Sequence, residues 1–211
     1  MRVAELWRYP VKGLRGEALE QVEIAADGIP GDRGLRVADE RGTITGRRKQ
    51  RMVGLPATLD GDGEPLVGGE PWSSDVAADA IRDVAGEGAG LVEAENGHAF
   101  DLAPLLVVTD GAIAQLGYDR RRFRANILIE GVDGAAEQGW IGGRLQVGEA
   151  LLFVREGCER CVITTIDPDT TEVDPEVLRR TRLEAGGMMG VYCSVLQPGV
   201  VAVDDPVKIV R

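Results

Sequence analysis

The chain has 211 residues, 44% of them hydrophobic, enough to bury one full core or two packed ones and to exclude an unfolded chain. Its 24 basic and 35 acidic residues leave a formal net charge of −11, which argues against nucleic acid and anionic membranes as partners. No apolar run approaches the ~20 residues of a membrane span, and three cysteines do not make a secreted disulfide framework; the composition points to a cytoplasmic protein with reduced thiols. Twenty-nine glycines and ten prolines predict many tight turns between short strands.

Val3 to Tyr9 reads as a strand whose easy pairing ends at Pro10, so Lys12 lies on a turn, either entering a cleft or remaining on the surface. Gln21 to Ala25 is a second strand. The turn formers from Asp27 to Asp32 lead into Arg33, which opens a strand through Leu35 and Val37 that returns as Thr43-Ile44-Thr45. Arg47, Arg48, Lys49 and Arg51 then crowd together. Such a group suits phosphate or carboxylate oxygens, although a run of solvated charges is the other reading. Residues 60 to 71 cluster Asp, Gly, Glu and Pro without an apolar period and predict the least structured stretch, a seam between subdomains. A helix is predicted from Ser74, its cap, to Ala85, with Val76, Ala80, Ile81 and Val84 at helical spacing and Gly86 at its end. After a strand at Leu91 to Ala94, the single histidine, His98, follows Asn96-Gly97 in a predicted solvent-facing hairpin turn.

Leu105 to Val108 is a buried strand running into a helix that Thr109-Asp110 caps and Gly117 closes, and a strand-to-helix junction offers free N–H groups to an anion. A second basic group, Arg120 to Arg124, leads into the strand Ala125 to Ile129; on a strand, Arg124 and Asn126 would share one face. Trp140 anchors a corner. Leu145, Val147, Leu151 and Phe153 predict a hairpin that delivers Gly157-Cys158-Glu159-Arg160-Cys161, followed by Val162 to Ile166 as a further strand. That context disfavours a redox pair of the thioredoxin kind, whose first thiol sits at a helix N-terminus. Zinc would require Cys193 and His98 to arrive from far along the chain. Asp174-Pro175-Glu176 starts a short helix, and Gly190 to Ser194, Val200 to Val203 and Val207 to Val210 close a barrel-like sheet.

Seven pieces occur together in one order: Tyr9-Pro10-Val11-Lys12-Gly13; Gly31-Asp32-Arg33; Thr45-Gly46-Arg47; Phe123-Arg124-Ala125-Asn126-Ile127; Glu137 with Trp140; Arg160-Cys161 through Thr164-Thr165 to Asp167-Pro168-Asp169; and Gly190 with Tyr192. In this the chain resembles the MOSC (molybdenum cofactor sulfurase C-terminal) proteins, in particular those with an N-terminal MOSC β-barrel subdomain such as the mitochondrial amidoxime-reducing components. The resemblance implies a mostly β fold with short helices (α+β), a barrel-like N-terminal subdomain over residues 1–98 and a pyruvate-kinase-like β-barrel over 99–211. It implies a molybdenum–molybdopterin cofactor, with Cys161 as metal ligand and catalytic residue. Lys12, Arg33, Arg47, Arg124, Asn126 and Arg160 would hold the pterin and its phosphate, with the Thr109 hydroxyl near that phosphate. A soft thiolate and cationic groups suit such a ligand.

The implied activity is an oxidoreductase that reduces small N-oxygenated (N-hydroxylated) substrates. A separate electron-transfer reductase is expected, because the chain has neither a Rossmann fingerprint nor an iron–sulfur cysteine set. The rival reading is a non-catalytic carrier or binding module for the cofactor or its sulfur. Four positions depart from the family pattern: Gly13, Ala125, Glu159 and Met189. Of these, Glu159 is expected to turn outward or pair with an arginine, because it would repel a phosphate.

Overall fold

Short alternating segments separated by glycine and proline turns build two β lobes in the computed structural model, which describes residues 1–95 and 97–210. Asn96, on which the predicted hairpin turn rests, lies outside the described residues. The larger lobe curls one eight-stranded sheet. Its order is Val207–Val210, Arg144–Val147, Ala150–Glu159, Met188–Gln197, Leu105–Thr109, Ile127–Glu130, Arg2–Arg8 and Glu17–Leu19. Neighbours run antiparallel except Leu105–Thr109 with Ile127–Glu130, a parallel pair whose crossover contains the helix Asp110–Leu116. Val3 N donates to Asp205 O (2.9 Å) and Asp204 N to Val3 O (2.8 Å), so the first strand meets the turn before the last one and the sheet curls back on itself.

Val3, Leu6, Ile127, Ile129, Leu145, Leu152, Val154 and Val191 fill the barrel and are fully buried. Leu105–Thr109 is buried on both faces, which period-two geometry turns into a partition. Leu105 and Val107 belong to the barrel core, while Leu106 and Val108 join a second core with Phe123, Cys158, Met189 and Val177 of the helix Pro175–Ala185.

In the smaller lobe, Leu35–Asp39 pairs with Gly90–Glu93, Gly42–Ile44 and, in parallel, Val11–Lys12. The helix Asp75–Ala85 starts at the expected cap, with Ser74 Oγ accepting from Ala77 N at 3.1 Å. Its buried face is Ala77, Ile81 and Ala85, and Val76 is on the solvent side. Residues 60–71 are not the least structured stretch. Pro65–Val67 and Glu70–Pro71 form a meander with Ala57–Leu59, and Asp60 Oδ1 accepts from the amides of Asp62 and Glu64 (2.9 Å each). Strands this short carry too few apolar positions to show a period. Among the described residues, no helix is long and apolar enough to cross a membrane.

Gly190 has a φ of +78°, and a Cβ there would stand 2.7 Å from Val107 O. We expect Gly190→Ala to lower the unfolding free energy by about 2 kcal/mol. A urea titration would read this as a lower midpoint; a midpoint equal to that of the wild type would mean that this strand adapts freely at Gly190.

Candidate functional site

The two lobes meet around a cavity of about 510 Å3. Seven cationic side chains line it (Lys12, Arg33, Arg47, Arg48, Arg122, Arg124 and Arg160) against two carboxylates, Asp101 and Glu159. Cys161, Cys158, Asn126 and Tyr192 also line it, so the structure brings together every sequence-predicted site residue except Thr109. Thr109 is fully buried elsewhere. Its hydroxyl donates to Glu137 Oε2 (2.8 Å) and accepts from Ala112 N (3.3 Å), capping the helix Asp110–Leu116.

The cysteine segment departs from the expected strand-turn-strand. Ala150–Glu159 continues as strand through Cys158, with register shifts between Val154 and Glu156 and between Gly157 and Glu159, and Cys158 packs in the second core. Cys161 then precedes a 3-10 turn, Val162–Thr165, where a strand was predicted. The paired threonines explain it, because Thr164 Oγ1 donates to Cys161 O (2.9 Å) and Thr165 Oγ1 to Val162 O (2.7 Å). These local hydroxyl bonds outcompete the strand preference of β-branched residues. The Cys161 side is half-buried at the cavity, and its sulfur, by charge and hydrogen bond, holds the Arg47 guanidinium above its ordinary value.

Each basic run contributes selectively. Arg48 pairs with Asp39 and Arg51 with Asp83, whereas Arg47 has no carboxylate partner among the described residues. In the second run Arg120 pairs with Glu5, Arg121 with Asp119 and Asp169, and Arg122 with Asp167, leaving Arg124 without a carboxylate partner among the described residues. Arg124 reaches the cavity from the end of a 3-10 turn with a left-handed φ of 54°, not from a strand; the strand begins at Ile127, so the expected shared face with Asn126 does not exist. Its Nη2 donates to Leu14 O (2.7 Å), and burial lowers it to about 10, so it stays cationic at neutral pH.

The guanidinium carbons of Arg33 (4.9 Å) and Arg124 (4.5 Å) both lie close to the centroid of the Tyr9 ring. Arg33 also has a left-handed φ, 55°. Burial alone would lower it, but the charge and hydrogen bond of the Asp32 carboxylate, together with the charges of Tyr9 and Asp101, raise it above its ordinary value. Asp32, itself buried, accepts from Tyr9 N (2.7 Å), Asn126 Nδ2 (3.1 Å) and Arg33. Asn126 is fully engaged: Nδ2 also donates to Trp7 O (3.2 Å), and Oδ1 accepts from Leu106 N (3.1 Å) and Arg33 Nη1 (3.3 Å). It therefore fixes Arg33 to the barrel. Arg160 is buried over the Phe123 ring (5.4 Å), with Nη1 3.0 Å from Cys158 Sγ; its Nε is the single buried side-chain nitrogen or oxygen without a partner among the described residues.

Sequence reasoning singled out neither Tyr9 as a platform, nor Asp32 as its anchor, nor Asp101. The first two stood inside quoted motifs; Asp101 had no signal of its own. Glu159 is exposed at the rim. His98 is exposed and stacks on Phe100 (4.3 Å between centroids), and no three His, Cys, Asp or Glu among the described residues are grouped to hold a metal.

A curled β-barrel with a second β lobe and an arginine-lined cavity containing one half-buried thiol defines the class: a two-lobed β protein with a cationic cavity. The chain belongs to the MOSC domain family. It matches the MOSC N-terminal beta barrel domain over residues 1–83 and the MOSC domain over residues 108–208. It is 28% identical to mitochondrial amidoxime reducing component 2 of Macaca fascicularis, with 97% of this chain and 82% of that protein covered. It is 31% identical to the molybdenum cofactor sulfurase of Drosophila grimshawi over 52% of this chain and 16% of that protein. The YuaD protein of Bacillus subtilis shares the fold, with a TM-score of 0.53 and 16% identity over 99% of this chain and 94% of that one.

Two outcomes follow from this geometry. Burial pushes the Tyr9 phenol up from 10.0 to about 12. The folded chain then keeps a proton that the unfolded chain releases near pH 10, so stability is full below that pH and falls between 10 and about 12. The fall should be shallower in Tyr9→Phe; parallel pH–stability curves would mean that the phenol is not raised. Thiol alkylation at about pH 8 should modify half-buried Cys161 first. Cys158, and Cys193 with its thiol pushed up to about 12 by burial, should react only on unfolding; early label on Cys193 by mass spectrometry would contradict its core placement.

Proposed function

We propose that the cavity holds a molybdenum–pterin cofactor through Cys161 and the surrounding cations, and that the chain is an oxidoreductase reducing N-hydroxylated compounds with electrons from a separate reductase. One observation carries the reading. In a chain of net charge −11, Arg47, Arg124 and Arg160 converge on one cavity beside one accessible thiol, without carboxylate partners among the described residues. Like charges gathered at one cavity, one of them (Arg160) buried, are costly without an opposite charge, so such a site suits a polyanion.

The residues fit the group. The orphaned Arg160 Nε is a donor awaiting an acceptor, and Arg33 and Arg124, stacked on Tyr9, present two guanidiniums to one phosphate. A cofactor whose metal is already bound by pterin sulfurs needs only one soft protein donor, which Cys161 supplies. When bound, the cofactor supplies two-electron oxygen-atom chemistry. Conversion of N–OH to N–H consumes two electrons and two protons and releases water. The protein's part is to hold and orient: Asn126 and Asp32 fix Arg33, Arg47 neighbours the sulfur, and Phe100 and Ile163 give the cavity apolar wall that excludes water. The names of the relatives, amidoxime reducing components, support the substrate class.

Protein made in a host that synthesises the cofactor should contain about one molybdenum per chain and release a fluorescent pterin on oxidation. Cys161→Ser should abolish hydroxylamine-dependent oxidation of a reduced dye. Arg124→Ala should lose pterin far more readily than Arg121→Ala, whose side chain is committed to Asp119 and Asp169. Zinc without pterin would sink the proposal, and cofactor retained without turnover would favour a carrier.

A further inference from the structure

A carboxylate stands where an anion-binding cavity has least use for one. Residues 97–103 form no regular secondary structure, and Ala99, Phe100, Asp101 and Ala103 line the cavity. The segment is tied down at few points. Ala99 N donates to Arg33 O (2.9 Å), and Lys12 Nζ donates to Ala99 O (2.8 Å) and to Asp101 Oδ1 (2.7 Å). The Asp101 side chain is 63% exposed and that of Lys12 only 22%, so the carboxylate comes from the solvent side to a lysine anchored in the wall. Lys12 is its single ion-pair partner among the described residues. Burial would raise the Asp101 carboxyl, yet Lys12, by hydrogen bond and charge, with Arg33 and Arg47, holds it below the ordinary carboxylate range. Asp101 thus sits in the field of three cations from the smaller lobe.

We infer that Asp101 is a resident counter-ion: in the ligand-free protein it occupies Lys12, and an incoming phosphate group takes Lys12 over and releases residues 99–103. The inference rests on the reading of this cavity as the seat of a phosphorylated cofactor. An ion pair with one partner this exposed is weak, and a phosphate that engages several cations at once outcompetes it. The arrangement quiets like-charge repulsion in the empty cavity and lowers the apparent affinity of the ligand, because part of the population holds its own anion.

The test is titration calorimetry of inorganic phosphate into the full chain made in a host unable to synthesise the cofactor. Asp101→Asn should bind phosphate about fivefold more tightly than the wild type, the size of one partly exposed ion pair. Phosphate should also quicken hydrogen exchange in residues 99–103 of the wild type. Equal or weaker binding by Asp101→Asn, or slower or unchanged exchange, overturns the counter-ion role; if Arg124→Ala still weakens phosphate binding, the cofactor reading stands. Failure of wild type, Asp101→Asn and Arg124→Ala alike to bind phosphate means that the cavity is no anion seat, and both readings fall.

Discussion

Arg124 is a half-buried guanidinium with no carboxylate in ion-pair contact among the described residues, and the centre of the molecule is arranged to tolerate that charge. A cation withdrawn from water needs an opposite charge, a dense set of acceptors or an electron-rich face. Here it has Leu14 O and the Tyr9 ring, and the ring also carries Arg33. Both arginines have left-handed backbones, a strain on the order of 1 kcal/mol each, and non-glycine residues hold such angles only where their surroundings fix them. The fixing is visible in Asp32 and Asn126, whose hydrogen bonds join the turn before Leu35–Asp39 to the barrel strands. The seam between the lobes is therefore a polar network organised by two like charges.

The acidic surplus of the chain does not dilute this site, because its carboxylates are allotted. Arg48, Arg51, Arg120, Arg121 and Arg122 each have at least one, while Arg47, Arg124 and Arg160 have none among the described residues. Surface ion pairs of this kind add little stability. Their effect here is one of sorting, since they occupy the neighbouring arginines of each run and leave Arg47 and Arg124 at the cavity without an ion-pair partner among the described residues.

Much of this was readable from local chemistry. Ser74, Thr109 and Asp174 cap the helices expected of them, each accepting an amide two or three residues on, and the barrel hairpin forms where expected, although its second strand turns Leu152 and Val154 into the core rather than the expected Leu151 and Phe153. The motif pieces located the thiol and the cations. What sequence could not resolve depends on partners distant in the chain or on hydroxyls closing short turns. Val162–Thr165 is coiled by its threonines against its strand propensity, and Arg124 reaches the cavity through one unusual φ. Thr109 looks like a phosphate neighbour until Glu137, arriving from a later segment, claims its hydroxyl. Asp101 is unremarkable in sequence because its meaning lies in Lys12, on the other lobe's sheet.

The strand Arg2–Arg8 sits between Ile127–Glu130 and Glu17–Leu19, in the sheet of the larger lobe. Vectorial synthesis therefore delivers one stave of the barrel first and most of the others last. Until Ile127–Glu130 emerges, the early strand has only Glu17–Leu19 to pair with, and the barrel cannot be completed from its own contiguous stretch of chain. Loop-closure entropy then places this union among the costly late contacts of folding, and the tyrosine that supports both arginines is set in position by the same event.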